Sequence, residues 1–260
     1  MGRYMQVLRL FWSTSLATEM EYRLNFILAA ISSLGNLAGS IFLIHLMFRK
    51  TATINGWTQY EAILVIGLFT LLEGFANTVL RANLSRIVRH VRQGTLDFVL
   101  LKPIDSQFWL STRNFSAWGV TDLLWGLIVI GYAGSQLGLM WWQYLMGLIP
   151  LALGLTILYG MWFMLGATSI WFVKVFNVTY VLKNLLEAGK LPIAVYPVVY
   201  QFFFTFVIPV AFLTTVPARA MLGDAQLTWL AGAVFFAVVM FTAARYFWKF
   251  ALRFYTSASS

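Results

Sequence analysis

The sequence predicts an all-α, polytopic membrane protein with six transmembrane helices, an amphipathic N-terminal interface helix and a short cytoplasmic helix. Of its 260 residues, 60% are hydrophobic and only 10% are charged, whereas soluble domains carry about 25% charged residues. The mean hydropathy is +0.78. A soluble domain of this length could not hide so much apolar surface from water, because part of every chain stays at the surface.

Residues 1–22 predict an amphipathic helix that lies on the inner leaflet. Apolar and polar side chains interleave in this segment: Leu8, Phe11, Trp12 and Leu16 against Arg9, Ser13 and Thr14. A helix with one apolar face and polar flanks is typical of the membrane interface.

Six apolar stretches follow, each reaching the roughly 20 residues that a helix needs to cross the hydrocarbon core. They cover residues 24–48, 60–80, 108–133, 144–173, 191–213 and 227–248. Pro192, Pro197 and Pro209 interrupt the fifth stretch, so we expect a kinked or broken helix there. The whole chain, 1–260, reads as one transmembrane domain.

The largest loop between spans, residues 81–105, begins with a second amphipathic helix. At 100° per residue, one face carries an apolar stripe, and Arg81, Arg86, Arg89 and Arg92 fan out over the other. The stripe consists of Leu84, Ile87, Val88 and Val91. Such a helix docks in the groove of a partner protein or lies on anionic lipid, and the residues alone leave both alternatives open.

The positive charges predict the orientation. If the N-terminus is cytoplasmic, only Arg49, Lys50 and Arg219 of the 18 lysines and arginines fall outside. Lys and Arg concentrate on the cytoplasmic side of membrane proteins, so both termini are expected in the cytoplasm. The net charge of +9 follows from the same bias, and nucleic acid is not an expected partner.

Motifs for chemistry are missing from the sequence. No G-x-x-x-x-G-K-[ST] loop or H-E-x-x-H helix occurs, cysteine is absent, and the only histidines are His45 and His90. We therefore predict no catalytic, cofactor or metal site in this chain.

Two carboxylates, Glu73 and Asp122, fall within predicted spans. A charge at such depth is costly and faces protein or a water-filled cavity. Each side chain is either a substrate-pathway group that attracts a cationic substrate or a structural hydrogen-bond partner of Arg113, Asn77 or a nearby Ser or Thr. Asp122, expected near the middle of the third span, is the better pathway candidate.

The arginine-rich helix is followed by a pattern G-x-L-D-x-x-L-x-x-P, formed by Gly94, Leu96, Asp97, Leu100 (or Leu101) and Pro103. With this pattern the chain resembles the permease subunits of bacterial exporters of the ABC type 2 superfamily, in a subfamily of about 260 residues with six spans. Gly56-Trp57, Pro192 to Pro197 and Pro209 to Pro217 extend the resemblance nearly from end to end.

The resemblance implies an ATP-driven exporter in the bacterial inner membrane that moves an amphipathic or hydrophobic substrate outward. Two permease subunits, a heterodimer more readily than a homodimer, would bind two ATPase subunits that hold the ATP and Mg²⁺. The helix between spans two and three would be the coupling helix that contacts the ATPase, through Arg86, Arg89, Arg92, Gly94, Leu96, Asp97, Lys102 and Pro103. The alternatives are a membrane-embedded lipid-modifying enzyme or a scaffold that does not transport.

Overall fold

The computed structural model describes residues 2–19, 23–172 and 176–256. The predicted all-α polytopic class is confirmed: within these residues, five helices are long and apolar enough to cross a membrane, and a bent helix pair could be a sixth. The helices are α1 (Gly2–Glu19), α2 (Arg23–Phe48), α3 (Gln59–Phe75), α4 (Ala82–Arg92), α5 (Asp97–Leu100), α6 (Ser106–Thr112), α7 (Val120–Gln136), α8 (Trp141–Ala167), α9 (Phe176–Leu186), α10 (Val198–Phe202), α11 (Thr215–Met221) and α12 (Leu227–Leu252).

The predicted N-terminal helix is present as α1, and residues 20–22 of that expectation lie outside the described residues. α1 rests on α6 near the start of the chain's third span. The indole of Trp12 donates to the carbonyl of Thr112 at 3.3 Å, and Phe11 meets the ring of Trp109 edge-on. Whether α1 also lies on lipid stays a prediction.

A small β-hairpin that the sequence analysis did not anticipate connects α2 to α3. Strands β1 (Thr53–Ile54) and β2 (Trp57–Thr58) pair antiparallel. The turn residues Asn55 and Gly56 have φ of +48° and +81°, the two left-handed positions that a tight hairpin turn requires. We call this end of the bundle the hairpin end.

The second span and the arginine-rich helix form one continuous helix. α3, a π-helical segment Ala76–Arg81 and α4 run without a break through Gln59–Arg92, 34 residues. At 1.5 Å per residue this helix is about 50 Å long, well beyond the roughly 30 Å hydrocarbon core. The expectation of a separate short helix is therefore corrected: the arginines lie on the extension of a span. We call the end formed by residues 94–103 the signature end.

The third span is shorter than predicted. Instead of one helix over 108–133, α6 ends at Thr112, and the apolar span covers Ala117–Gln136. Long-range bonds hold the intervening loop 113–116 against the long helix: the N–H of Asn114 donates to Asn83 Oδ1 at 2.8 Å, and the N–H of Ser116 donates to Thr78 O at 2.8 Å. The backbone of this loop hydrogen-bonds to the long helix, so α6 and α7 do not join into one continuous helix.

The break predicted for the fifth stretch is confirmed, but its placement over 191–213 is wrong. Val198–Val207 and Val210–Met221 meet at an angle of 76° around Pro209. The chain just before this pair and the last turn of the pair both lie at the hairpin end, since Asn55 Nδ2 donates to Ala194 O at 2.8 Å and Arg219 stacks 5.1 Å from the Trp57 ring. Of the two forms that such a bend can take, a broken span or a re-entrant loop, these contacts favour the re-entrant loop.

The chain passes from the signature end to the hairpin end through α9 and the 3₁₀ turn Glu187–Lys190. α8 ends at the signature end, where Trp171 packs against Phe250 of α12. The chain next reaches the hairpin end at Ala194. Lys183, Glu187 and Lys190 lower the local hydropathy, which is why the sequence did not predict a span here.

Glycines set the closest helix contact of the bundle, between α3 and α7. A Cβ at Gly126 would lie 2.6 Å from the backbone N of Leu71, and one at Gly74 would lie 2.5 Å from the backbone N of Leu123. Small residues let membrane helices approach until their backbones touch.

The variant Gly126→Ala should destabilise the protein, although alanine favours helices over glycine by about 0.5–1 kcal/mol. Forcing α3 and α7 apart costs about 1–3 kcal/mol, which is the larger effect. Gly131→Ala in the same helix is the control, because nothing lies within 4 Å of a Cβ there. Thermal unfolding in detergent should show a lower Tm for the first variant and an equal or higher Tm for the second; equal shifts would contradict the packing.

Because the chain has no cysteine, single cysteines report sidedness directly. Val198→Cys and Gln226→Cys should react with a membrane-impermeant maleimide from the same side of oriented vesicles, and Gln93→Cys from the other. If Val198→Cys instead reacts from the side of Gln93→Cys, the bent pair is a true span and not a re-entrant loop.

Candidate functional site

A polar cleft of about 490 Å³ opens between α2, α3, α7 and α9 inside the helix bundle. It brings together both sequence-predicted pathway residues, Glu73 and Asp122. Hydroxyl and amide side chains supply much of the remaining lining: Ser32, Ser33, Asn36, Thr70, Asn77 and Thr121. The cleft is thus a hydrogen-bonding surface within an otherwise apolar domain.

A chain of polar contacts runs along one wall of the cleft. Arg81 Nη2 donates to both carboxylate oxygens of Glu73, at 2.9 and 3.0 Å, while Nη1 of Arg81 donates to Asn77 Oδ1. Asn77 Nδ2 donates to Asp122 Oδ2 at 2.8 Å, and Ser33 donates to the other oxygen of Asp122. Three helices are therefore linked through two carboxylates and one guanidinium.

Asp122 lies in the first turn of α7 and not near the middle of a span. The prediction placed it deeper because it took residues 108–133 as one helix. Of the structural partners suggested for the two carboxylates, Asn77 and a serine do bind Asp122, and Arg113 does not belong to this set. Sequence reasoning missed the pairing of Glu73 with Arg81, although the spacing of Glu73, Asn77 and Arg81 at i, i+4 and i+8 places them on one helix face.

Two lysines also line the cleft, although the sequence analysis assigned them to cytoplasmic loops. Lys190 Nζ lies 3.3 Å from Asn36 Oδ1 and 5.6 Å from the Phe69 ring. Lys183 has no partner among the described residues. With Arg81, the lining carries three cations against two carboxylates, and Lys190 also pairs with Glu187 at 3.6 Å. These balanced charges do not support the expectation that the cleft attracts a cation.

The signature loop, residues 94–103, begins with a helix-terminating motif. Gly94 has φ of +65°, its N–H donates to Val91 O at 3.3 Å, and the N–H of Thr95 donates to His90 O at 3.0 Å. This pair of bonds is a Schellman motif, which explains the need for glycine. Leu96 is fully buried, so it anchors the loop and presents no surface to a partner.

The apolar stripe of the arginine-rich helix is not free for a partner. Leu84, Ile87 and Val88 are buried within the chain's own core. Leu84 and Ile87 face Gly166 of α8, where a Cβ would meet Ile87 at 3.4 Å. The expectation that this stripe docks in a groove of another protein is therefore corrected.

The exposed residues of the signature end form a different surface. Of the residues implied in coupling, Arg86, Arg89, Arg92, Lys102 and Pro103 are exposed, and Asp97 is partly buried in the first turn of α5. Phe98, which the sequence analysis did not single out, is 69% exposed, and Leu101, one of the two candidates for the second leucine of the pattern, is 81% exposed. We call Phe98, Leu101, Lys102 and Pro103 the docking surface.

Asp105 fixes the end of this region to the last helix. It accepts from the N–H of Phe108 at 2.9 Å as the cap of α6, and it pairs with Arg245 of α12 at 2.6 Å. Burial raises the pKa of Asp105, but the bonds from Arg245 and Phe108 outweigh it and hold the pKa below its ordinary value. The carboxylate is therefore ionised at neutral pH, and the pair weakens only as the pH falls through that lowered pKa.

Comparison with known proteins gives one finding. A family model described as ABC-2 family transporter protein matches residues 34–259. No curated protein and no solved structure gives a significant match. The matched range holds the signature end and nearly all of the cleft.

A double-mutant cycle can measure how much Glu73 and Arg81 stabilise one another. Glu73→Gln should lower stability by about 1–2 kcal/mol, because it leaves Arg81 without its counter-charge. The effect stays below that of a fully buried pair, since the two side chains keep 22% and 23% of their surface exposed. Adding Arg81→Gln should restore part of the loss.

Thermal unfolding of the parent, both single variants and the double variant in detergent gives the coupling. The control is Asp224→Asn at the hairpin end, because this mostly exposed carboxylate pairs with Arg219 and the loss of an exposed ion pair should matter little. Strictly additive effects of Glu73→Gln and Arg81→Gln would show that the two side chains do not stabilise one another.

Proposed function

The chain belongs to the ABC-2 family of transporter proteins, and from that premise we propose that it is the membrane-spanning permease subunit of an ATP-driven exporter. It would move an amphipathic or hydrophobic substrate out of the cytoplasm or the inner leaflet. One observation carries the proposal: the continuous helix Gln59–Arg92 connects the polar cleft to the exposed signature end.

An ABC transporter has an ATPase partner, and the docking surface is where we place it. Phe98 and Leu101 are apolar and exposed, and Lys102 and Pro103 flank them. Exposed apolar side chains rimmed by polar ones are typical of protein interfaces. The ATPase subunits would bind ATP and Mg²⁺. Binding and hydrolysis of ATP would act on this chain only by moving the docking surface.

The long helix offers a direct route for such a movement. Arg92 ends the helix beside the signature loop, and Glu73, Asn77 and Arg81 project from it into the cleft. The π-helical segment Ala76–Arg81 lies between the docking surface and the outer half of the helix. Since π-helical turns are weak points in a helix and recur at functional sites, a push at the signature end would change the geometry of the cleft at this point.

The side chains that line the cleft indicate the chemical class of the substrate. Serine, asparagine and threonine side chains and two lysines offer donors to a neutral or anionic polar group, and the surrounding helices expose apolar side chains to lipid. A substrate with a polar head and an apolar body fits both environments. We propose that this head passes through the cleft, with Glu73 and Asp122 shaping it through their bonded partners.

The orientation and assembly of the subunit complete the proposal. The signature end and both termini would lie in the cytoplasm of a bacterium, with the domain in its inner membrane, since nearly all positive charges then face inward. α2 forms one wall of the cleft and exposes apolar residues such as Ile31 and Phe42 on its other face. A second permease subunit would pack on that face, in a heterodimer by preference or in a homodimer.

Replacing the exposed apolar residues of the docking surface should prevent ATPase binding. The double variant Phe98→Ser plus Leu101→Ser is expected to lose at least about 90% of the ATPase that co-purifies with the parent, because truncating central interface residues costs 2 kcal/mol or more. The measurement is the ratio of the two subunits after purification with the ABC ATPase from the same gene cluster.

The matched control is Phe172→Ser, since Phe172 is also exposed, at 65%, near the same end of the bundle but outside the docking surface. It should keep the parental subunit ratio. An unchanged ratio in the double variant, with both proteins inserted in the membrane, would remove the docking surface from the interface and with it the proposed drive.

A further inference from the structure

A second cavity, of about 610 Å³, lies at the signature end between α1, α4 and the loop 113–116. Among the residues that the structure describes, Arg86, Arg89 and Arg113 line it and no carboxylate does. Neither the family nor the docking surface accounts for this cavity. Its residues come from three segments far apart in the sequence, so no local pattern predicts it.

The three arginines concentrate uncompensated positive charge around the cavity. Arg86 lies close enough to Arg89 and Arg113 for their like charges to repel it. Within the part of the chain that the structure describes, no ion pair neutralises any of the three. Guanidinium groups around a shared hollow are suited to a phosphate group, which accepts paired hydrogen bonds from each of them.

The walls of this cavity are held in place by a buried side-chain amide and by a contact between one of the arginines and an aromatic ring. Asn83 is buried, and its side-chain amide exchanges hydrogen bonds with the backbone of Asn114 in both directions, each at 2.8 Å. The Arg113 guanidinium stacks 4.5 Å from the Phe11 ring of α1. A site whose walls are already ordered loses little entropy when a ligand binds.

Apolar groups beside the cavity favour a phospholipid over a soluble phosphate. Trp12 of α1 packs 5.2 Å from Phe115, a residue of the cavity wall, and is itself partly exposed. Leu10, one turn before the cavity-lining Thr14 on the same helix, is exposed as well. A phosphate placed among the arginines would therefore have apolar surface next to it for acyl chains.

We infer that this cavity binds the phosphate of an anionic phospholipid, held by Arg86, Arg89 and Arg113. Asn77 and Ser116 line both this cavity and the polar cleft, so the bound headgroup lies at the mouth of the cleft. Arg86 and Arg89 then serve lipid, and the docking surface serves the partner protein. The inference depends neither on the ATPase nor on the direction of transport.

The test uses the full-length chain without any ATPase. Binding of fluorescent phosphatidylglycerol to the purified protein is measured in neutral detergent, for the parent and for the double variant Arg86→Gln plus Arg113→Gln. The double variant should bind at least about tenfold more weakly, since the loss of even one charged hydrogen bond costs about 1.5–3 kcal/mol and 1.4 kcal/mol corresponds to tenfold. Fluorescent phosphatidylcholine should bind both proteins equally and weakly.

Arg253→Gln is the matched control, because Arg253 is exposed at the C-terminal end of α12 and does not line the cavity. It should bind phosphatidylglycerol as the parent does. A loss as large as that of the double variant would mean that bulk charge attracts the lipid and would overturn the proposal. Should the double variant prove unstable in a thermal scan, the single Arg113→Gln is compared with Arg253→Gln in the same way.

Two further experiments distinguish a phospholipid site from a soluble-anion site and from a contact with the ATPase. Inorganic phosphate, compared with chloride at equal ionic strength, should not displace phosphatidylglycerol; displacement would identify a soluble-anion site. In a separate co-purification, the double variant should retain the ATPase. If it loses the ATPase and still binds phosphatidylglycerol like the parent, the arginines belong to the protein interface and the lipid proposal is wrong.

Discussion

The positive charge of Arg81 is the constraint around which the bundle is arranged. A guanidinium on a membrane-spanning helix needs a counter-charge and hydrogen-bond acceptors. Glu73 and Asn77 supply them from the same helix, and Asn77 passes the connection to Asp122 of α7. Arg81 also lies 5.4 Å from the Trp162 ring of α8. One side chain thus ties the long helix to its two neighbours at the point where its π-helical segment ends.

Close backbone packing extends this connection along the whole of α3. Gly74 and Gly126 let α3 and α7 touch, which leaves no room on that side of the long helix. The polar cleft therefore forms beside this contact, between α3, α2, α9 and the first turn of α7. The position of the cleft therefore depends on these two glycines as well as on the polar groups that line it.

At the signature end, one buried amide organises two surfaces. Asn83 fixes the loop 113–116 on the long helix, and this loop both ends the third span and forms a wall of the basic cavity. The buried stripe of α4 orients the arginines outward, while the Schellman turn at Gly94 redirects the chain so that Phe98 and Leu101 are exposed. The arginines proposed to bind lipid and the docking surface proposed to bind the ATPase are therefore adjacent but consist of different residues.

The sequence by itself determined the membrane class and the position of the signature loop. Those features depend on local hydropathy, on helix periodicity and on a single glycine, all of which act within a few residues of the chain. It also placed Glu73 and Asp122 among the groups that must be satisfied inside the bundle. Only the tertiary structure decided that the third span starts at Ala117, that α9 and the turn after it carry the chain from the signature end to the hairpin end, and that Leu84, Ile87 and Val88 face the chain's own core. These features depend on hydrogen bonds and packing between residues far apart in sequence, such as Asn83 with Asn114 and Asn55 with Ala194. Local hydropathy does not predict contacts of this kind.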